Sequence, residues 1–277
     1  MRFMVAWVLA AMHIGAASAE APQGETIWIP MKQIVDGAER TVRLEGTLYR
    51  PNSSGKTALV LFTHGSSGGP IPSTYTERAK GLAEVLLPHG VALLALMRPG
   101  RGRSEGIDPE QPSPCTTVAA EAGVGQALAS LDAAIEYLGK QDWIDPARLV
   151  LAGHSRGGVI APAYADAHPG TVAAVLNFSG GWKNDNCGPV DVNARLFARY
   201  GRAGGSPQSY LYAKGDGFYS DRAIESYAQE ARSAGGNVDF KLYTLNGANG
   251  HLLFQRGAYL WSEDVLQFLI RQGVISP

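Results

Sequence analysis

Long apolar runs, cysteine, histidine and net charge are all scarce in this chain, and each shortage removes a class of function. Beyond the N-terminus no segment stays apolar over the roughly 20 residues that a membrane-spanning helix needs, so no membrane contact is expected of the mature chain. A formal net charge of −1 over 277 residues leaves none of the basic excess on which nucleic-acid binding depends. The two cysteines, Cys115 and Cys187, have no further cysteine or histidine at metal-ligand spacing, which argues against a zinc site. With six histidines in all, each can be weighed separately as an acid–base group.

The N-terminus carries what the rest lacks. Residues 1–19 combine Arg2, an apolar stretch over 3–14 and the small residues Ala17-Ser18-Ala19, the pattern of a secretory signal with its cleavage site. The apolar stretch is too short for a span and His13 interrupts it. The expectation is an exported protein, periplasmic or secreted, whose mature part is one domain over 20–277. In an oxidising compartment an even pair of cysteines reads as a disulfide, Cys115 to Cys187. The other reading is two unrelated buried thiols.

Glycine is abundant, at 34 residues, as suits many tight turns between strands and helices. Two alternating stretches, 26–34 and 41–49, flank Asp36-Gly37 and predict an antiparallel hairpin. Continuous apolar runs at 58–63, 91–97 and 172–178 suit strands buried on both faces. Further strands are expected at 209–213 and 238–245. Val124, Leu128, Leu131, Ile135 and Leu138 fall at helical spacing, and further helices are expected near 79–86, 192–200, 222–233 and 263–272. The alternation predicts an α/β domain with a mostly parallel sheet.

Gly-x-Ser-x-Gly occurs three times, around Ser67, Ser104 and Ser155. Prolines 70 and 72 stand where a helix should follow Ser67, and Arg98-Pro-Gly-Arg before Ser104 is no strand. Only Ser155 has an apolar strand immediately before it, Leu149-Val-Leu-Ala-Gly, and a helical stretch immediately after it. A serine at such a turn is lifted clear of the backbone beside a helix N-terminus. This stretch resembles the nucleophile elbow of the α/β-hydrolase superfamily.

The resemblance implies an eight-stranded sheet of order 1-2-4-3-5-6-7-8 with helices on both faces and a small cap from about 180–206. It implies a nucleophile, acid and base in that chain order, each in a loop at the end of a strand. Ser155 takes the first place. Asp216 follows a strand in a short glycine-containing loop, while Asp221 opens a helix and Asp185 and Asp191 lie a strand too early. His251 lies past the last strand, in a flexible Asn-Gly-Ala-Asn-Gly loop; His89 and His168 stand at helix ends, and His64 and His154 read as structural. The oxyanion donors would be the backbone N–H groups of Ser66 and Arg156. The turn holding Arg98, Arg101 and Arg103 resembles one that supports the oxyanion loop, with anion binding as the other reading. Trp182, Phe218 and Tyr219 fall near the expected cleft. The chain looks most like the dienelactone-hydrolase-like group, although those enzymes carry cysteine where this chain has Ser155. The implied activity is hydrolysis of a small carboxylic ester without metal or organic cofactor. The alternatives are a peptidase of the prolyl-oligopeptidase type, or a non-catalytic binding protein on the same fold.

Overall fold

The computed structural model of the chain describes residues 22–66, 71–108, 110, 114–187 and 191–276. The expected signal over 1–19, and Ser67 with its neighbours Gly68, Gly69 and Pro70, lie outside the described residues. The chain opens with β1 (Glu25–Val35) and β2 (Ala38–Tyr49), an antiparallel pair. Asp36 and Gly37 form its two-residue loop, both with positive φ, as a type I′ turn requires.

The rest alternates. The strands are β3 (Thr57–Thr63), β4 (Val91–Leu96), β5 (Ile144–His154), β6 (Ala174–Phe178), β7 (Gln208–Ala213) and β8 (Val238–Tyr243). They join the hairpin in one sheet of order β1-β2-β4-β3-β5-β6-β7-β8. The pairs β1–β2 and β2–β4 are antiparallel, and every pair from β4 onward is parallel. The expected strand order is therefore the observed one.

Every residue of β3 and β4 is buried, which explains why these strands read as unbroken apolar runs. Their side chains divide by period two between two cores. Leu59 and Leu61 face one that also holds Trp182, Leu196, Phe197 and Tyr227. Val60 and Phe62 face the other, with Leu82, Phe254, Trp261 and Phe268. The first core lies beneath α2 (Thr117–Gly139), α3 (Arg156–Ala167), α4 (Val192–Tyr200) and α5 (Asp221–Ser233). The second lies beneath α1 (Lys80–Leu86), α6 (Leu253–Arg256) and α7 (Ala258–Arg271).

Two regions differ from the sequence expectation. The closing helix α7 begins at Ala258, ahead of the expected 263, because Leu253 and Trp261 anchor the preceding turns in the core. The stretch 180–206 divides in two. Its helix α4 is the crossover between β6 and β7, packed beside α2, α3 and α5. Among the described residues of this stretch, the part around Gly181, Trp182, Lys183 and Cys187 borders the cleft at Ser155.

Candidate active site

The site is built around a strained residue. Ser155 stands between β5 and α3 with φ 55° and ψ −121°, a conformation that costs a non-glycine residue stability. Backbone bonds hold it there. Its N–H donates to the Phe178 carbonyl (3.0 Å), and its own carbonyl accepts from Gly158 (2.8 Å) and Gly181 (3.1 Å). The flanking glycines are required by close approach. A Cβ on Gly153 would lie 2.0 Å from the Gly157 carbonyl oxygen, and one on Gly157 would lie 2.1 Å from that of Thr63. Ser104, from the second copy of the pattern, is a buried tie: its Oγ donates to the Met97 carbonyl and accepts from the Glu45 N–H, each at 2.8 Å.

The structure brings His251 and Asp216 together. His251 Nδ1 and Asp216 Oδ2 are 2.8 Å apart, with the carboxyl group fully buried. A carboxylate only accepts, so Nδ1 carries the proton and Nε2 is left as the acceptor. The other oxygen, Oδ1, is fixed by the N–H groups of Phe218 (2.8 Å) and Tyr219 (3.2 Å). The competing acids are engaged elsewhere. Asp221 accepts from the Gly215 N–H, Asp185 from the Ser220 N–H, and Asp191 caps α4 through the Ala194 N–H.

His251 corrects one expectation: it is buried, in a single turn of 3-10 helix over Gly250–Leu252, and not in a flexible loop. Asn249 is the reason. Its Oδ1 accepts from the His251 N–H (2.9 Å) and from the Gly217 N–H (2.7 Å), joining the turn of His251 to the loop of Asp216. His154 adds a second tie, its Nε2 lying 3.0 Å from the His251 carbonyl. Burial pushes the His154 imidazole down to about 3, so the ring is neutral.

Ser66 and Arg156 line one cavity with Ser155. Arg156 is the first residue of α3, where a backbone N–H has no intrahelical acceptor. A Cβ on Gly65 would lie 2.9 Å from the Ser155 Cβ, which places the turn after β3 directly against the serine. His64 is structural. Its Nε2 accepts from the Arg98 N–H (3.1 Å), and burial beside the Arg98 charge keeps the ring neutral. Arg98 and Arg101 are fully buried, paired with Glu110 and with Asp108 respectively, while Arg103 pairs with Glu45. The arginine turn is thus scaffolding. The Arg156 guanidinium lies 3.2 Å from Glu110 and packs over the Trp182 ring.

A model of the alpha/beta hydrolase family matches residues 60–271. The chain belongs to the α/β-hydrolase family. Among curated proteins none matches the sequence. Solved structures similar to this hydrolase include the Pyrococcus furiosus esterase Pf2001, with TM-score 0.64, 15% identity and 90% of each chain covered. Est1E from Butyrivibrio proteoclasticus is similar at TM-score 0.58 and 17% identity, over 88% of this chain and 98% of that one. The Pyrococcus horikoshii acylaminoacyl peptidase matches at TM-score 0.63 and 14% identity, over 91% of this chain and 42% of that one. At these identities the likeness is one of fold.

Two cavities of this hydrolase, each of about 240 Å³, flank Ser155 and share Ser66, Ser155 and Phe218 as lining. The first contains His251, His154, Tyr75 and Gln255. The second contains Arg156, Trp182, Lys183 and Tyr219, with the Cys115–Cys187 disulfide in its wall. The three aromatic residues expected near the cleft are all there. Phe218 packs on the His251 ring with centroids 4.5 Å apart, Tyr219 lies edge-on to it at 5.6 Å, and Trp182 lines the second cavity. Burial, and then the Asp216 charge, push the Tyr219 hydroxyl upward in pKa. A larger cavity of about 450 Å³ between the start of α4 and α5 contains none of Ser155, Asp216 and His251.

Sequence reasoning passed over Asn249 and Glu110. Asn249 stood in plain view inside the glycine-rich loop, where an Asn side chain commonly bonds backbone two residues on. Glu110 has only one sequence signal, the charge balance it offers to the arginines upstream.

Proposed function

We propose that this chain is an exported serine hydrolase that cleaves a carboxylic ester through an acyl-enzyme on Ser155. The observation that carries the reading is the bond between His251 Nδ1 and Asp216 Oδ2, with His251 and Ser155 lining the same cavity. With Nδ1 bonded to Asp216, His251 uses Nε2 to take the Ser155 proton as Oγ attacks the ester carbonyl. The tetrahedral oxyanion is held by the backbone N–H groups of Arg156 and Ser66, whose charge stabilisation is the largest single contribution in such sites. His251 then protonates the departing alkoxide, the alcohol leaves through the cavity on its own side, and water deacylates the serine by the same route in reverse. Asp216 holds the tautomer and offsets the imidazolium charge.

A fluorophosphonate probe tests the serine. Labelling should be lost in Ser155→Ala, and labelling that persisted there or moved to Ser67 or Ser104 would overturn the assignment. Turnover of aryl and alkyl esters of graded chain length, set beside matched amides, then separates an esterase from a peptidase. Export is supported by the 1–19 pattern and by the disulfide, a bond that persists in oxidising compartments. The N-terminal sequence of protein recovered outside the cytoplasm should start at Glu20.

A further inference from the structure

One buried carboxylate reaches both sides of the oxyanion site. Glu110 has a fully buried side chain between β4 and α2. Its Oε2 accepts from the Ser66 hydroxyl and from Arg156 Nη1 (3.2 Å). Its Oε1 accepts from Arg98 Nε (2.5 Å), and Arg101 Nε lies 3.6 Å away. Arg98 extends the network through Nη1 to Thr63 Oγ1 and to the His64 carbonyl, both at 2.6 Å. The Arg156 side chain also donates to the Glu110 carbonyl, so the contact to α3 is double. These bonds begin in segments far apart in sequence: the turn after β3, the arginine turn after β4 and the first turn of α3.

Besides Glu110, these segments touch through the Arg98 N–H on His64 Nε2 (3.1 Å) and the close approach of Gly157 to the Thr63 carbonyl, neither of which engages the Ser66 side chain. The Ser66 N–H belongs to an irregular turn, and the Arg156 N–H to the start of a helix set by β5. The sheet registers β3 against β5, yet it does not fix the turn beyond the end of β3. A single oxygen of Glu110 joins the two side chains. Surrounding arginines hold its carboxyl well below the usual carboxylate range, so it stays ionised as an acceptor.

We propose that Glu110 is a positioning residue that sets the spacing of the two oxyanion donors through the side chains of Ser66 and Arg156. This rests on the reading that those two N–H groups receive the oxyanion. Glu110 itself does not touch the substrate. Its effect should therefore appear where charge develops on the carbonyl oxygen and should leave ground-state ester binding alone.

The experiment uses Glu110→Gln, Ser66→Ala and the double variant, with active sites counted by fluorophosphonate titration. Glu110→Gln should lower kcat per titrated site by about 10- to 100-fold, less than the loss of a whole oxyanion donor, with KM within about two-fold of wild type. A trifluoromethyl ketone, whose serine adduct carries an oxyanion, should bind more weakly by the same factor. Ser66→Ala leaves the buried ion cluster intact and should give a smaller loss of the same kind, which keeps the test valid if Glu110→Gln folds poorly. Adding Ser66→Ala to Glu110→Gln should cost little more, because both remove one link. If both single variants keep wild-type kcat per site and ketone affinity, Glu110 is only structural and the proposal is overturned. If wild-type protein itself neither titrates with the probe nor binds the ketone, the serine-hydrolase reading fails and the proposal falls with it.

Discussion

His154 donates from Nε2 to the backbone carbonyl of His251, so the residue preceding Ser155 holds the turn that carries that histidine. A carbonyl only accepts, which fixes the proton on Nε2 and leaves Nδ1 facing Gln255 Nε2 at 3.4 Å. The two rings lie 5.0 Å apart, and Phe254 stacks on His154 with centroids 5.7 Å apart. The elbow thus presents Ser155 and also supports the residue expected to take its proton.

His154→Ala should lower kcat by about 10-fold and stability by roughly 1–3 kcal/mol, the range for leaving a buried acceptor unpaired. His154→Gln, which can offer an N–H near the same place, should recover part of both. Steady-state kinetics and urea unfolding read the two effects, and equal activity in His154→Ala and wild type would show that the tie is dispensable.

Asp216→Asn should be nearly inactive yet folded, since loss of the triad acid costs about 10⁴ in kcat where it has been dissected. Asp221→Asn should stay active, because that carboxylate only accepts from the Gly215 N–H and begins α5. Its cost should be about 1 kcal/mol or less in unfolding free energy. Retention of more than about a tenth of wild-type kcat in Asp216→Asn, against that expected loss, would move the acid elsewhere.

The disulfide between Cys115 and Cys187 ties the segment before α2 to the loop after β6, with Cα atoms 5.2 Å apart and 72 residues of separation. Constraining a loop of that length in the unfolded chain stabilises by roughly 4 kcal/mol at most. Replacing both cysteines by serine should lower the urea midpoint accordingly. Because Cys187 and Trp182 wall the second cavity beside Ser155, KM should rise more than kcat falls. An unchanged urea midpoint in the double variant would contradict the stabilising role.

Stability should fall on acidification from about pH 6.5, earlier than carboxylate titration alone would bring. His64 and His154 are held neutral by burial, His154 down to about 3, while the unfolded chain protonates both near 6.5. The unfolded state therefore binds more protons below pH 6.5, and each histidine contributes a slope approaching about 1.4 kcal/mol per pH unit. Glu110, held below its ordinary value by Arg98 and Arg101, adds to the loss once the unfolded carboxylate protonates below about 4.5. Urea midpoints at pH 7.5, 6.0 and 5.0 measure this, with a shallower slope expected in His154→Gln. Equal midpoints at pH 7.5 and 5.0 would falsify the neutral-histidine account.

Much of this protein was determined by local sequence. The period-two burial of β1, the unbroken apolar runs of β3 and β4, and the glycines on either side of Ser155 each report a constraint that one segment imposes on itself. The family resemblance then proposed Asp216 and His251, which lie three and eight residues beyond the ends of β7 and β8. Tertiary structure decided the rest. Nothing in the loop sequence says that His251 is buried, since its immobility comes from Asn249, Gly217 and His154 on three different segments. Glu110 is the extreme case: its neighbours in sequence carry no periodicity, and its partners lie just beyond the ends of β3, β4 and β5. Hydrophobic periodicity is written along the chain, whereas a buried charge is stabilised only by groups that folding brings to it from elsewhere.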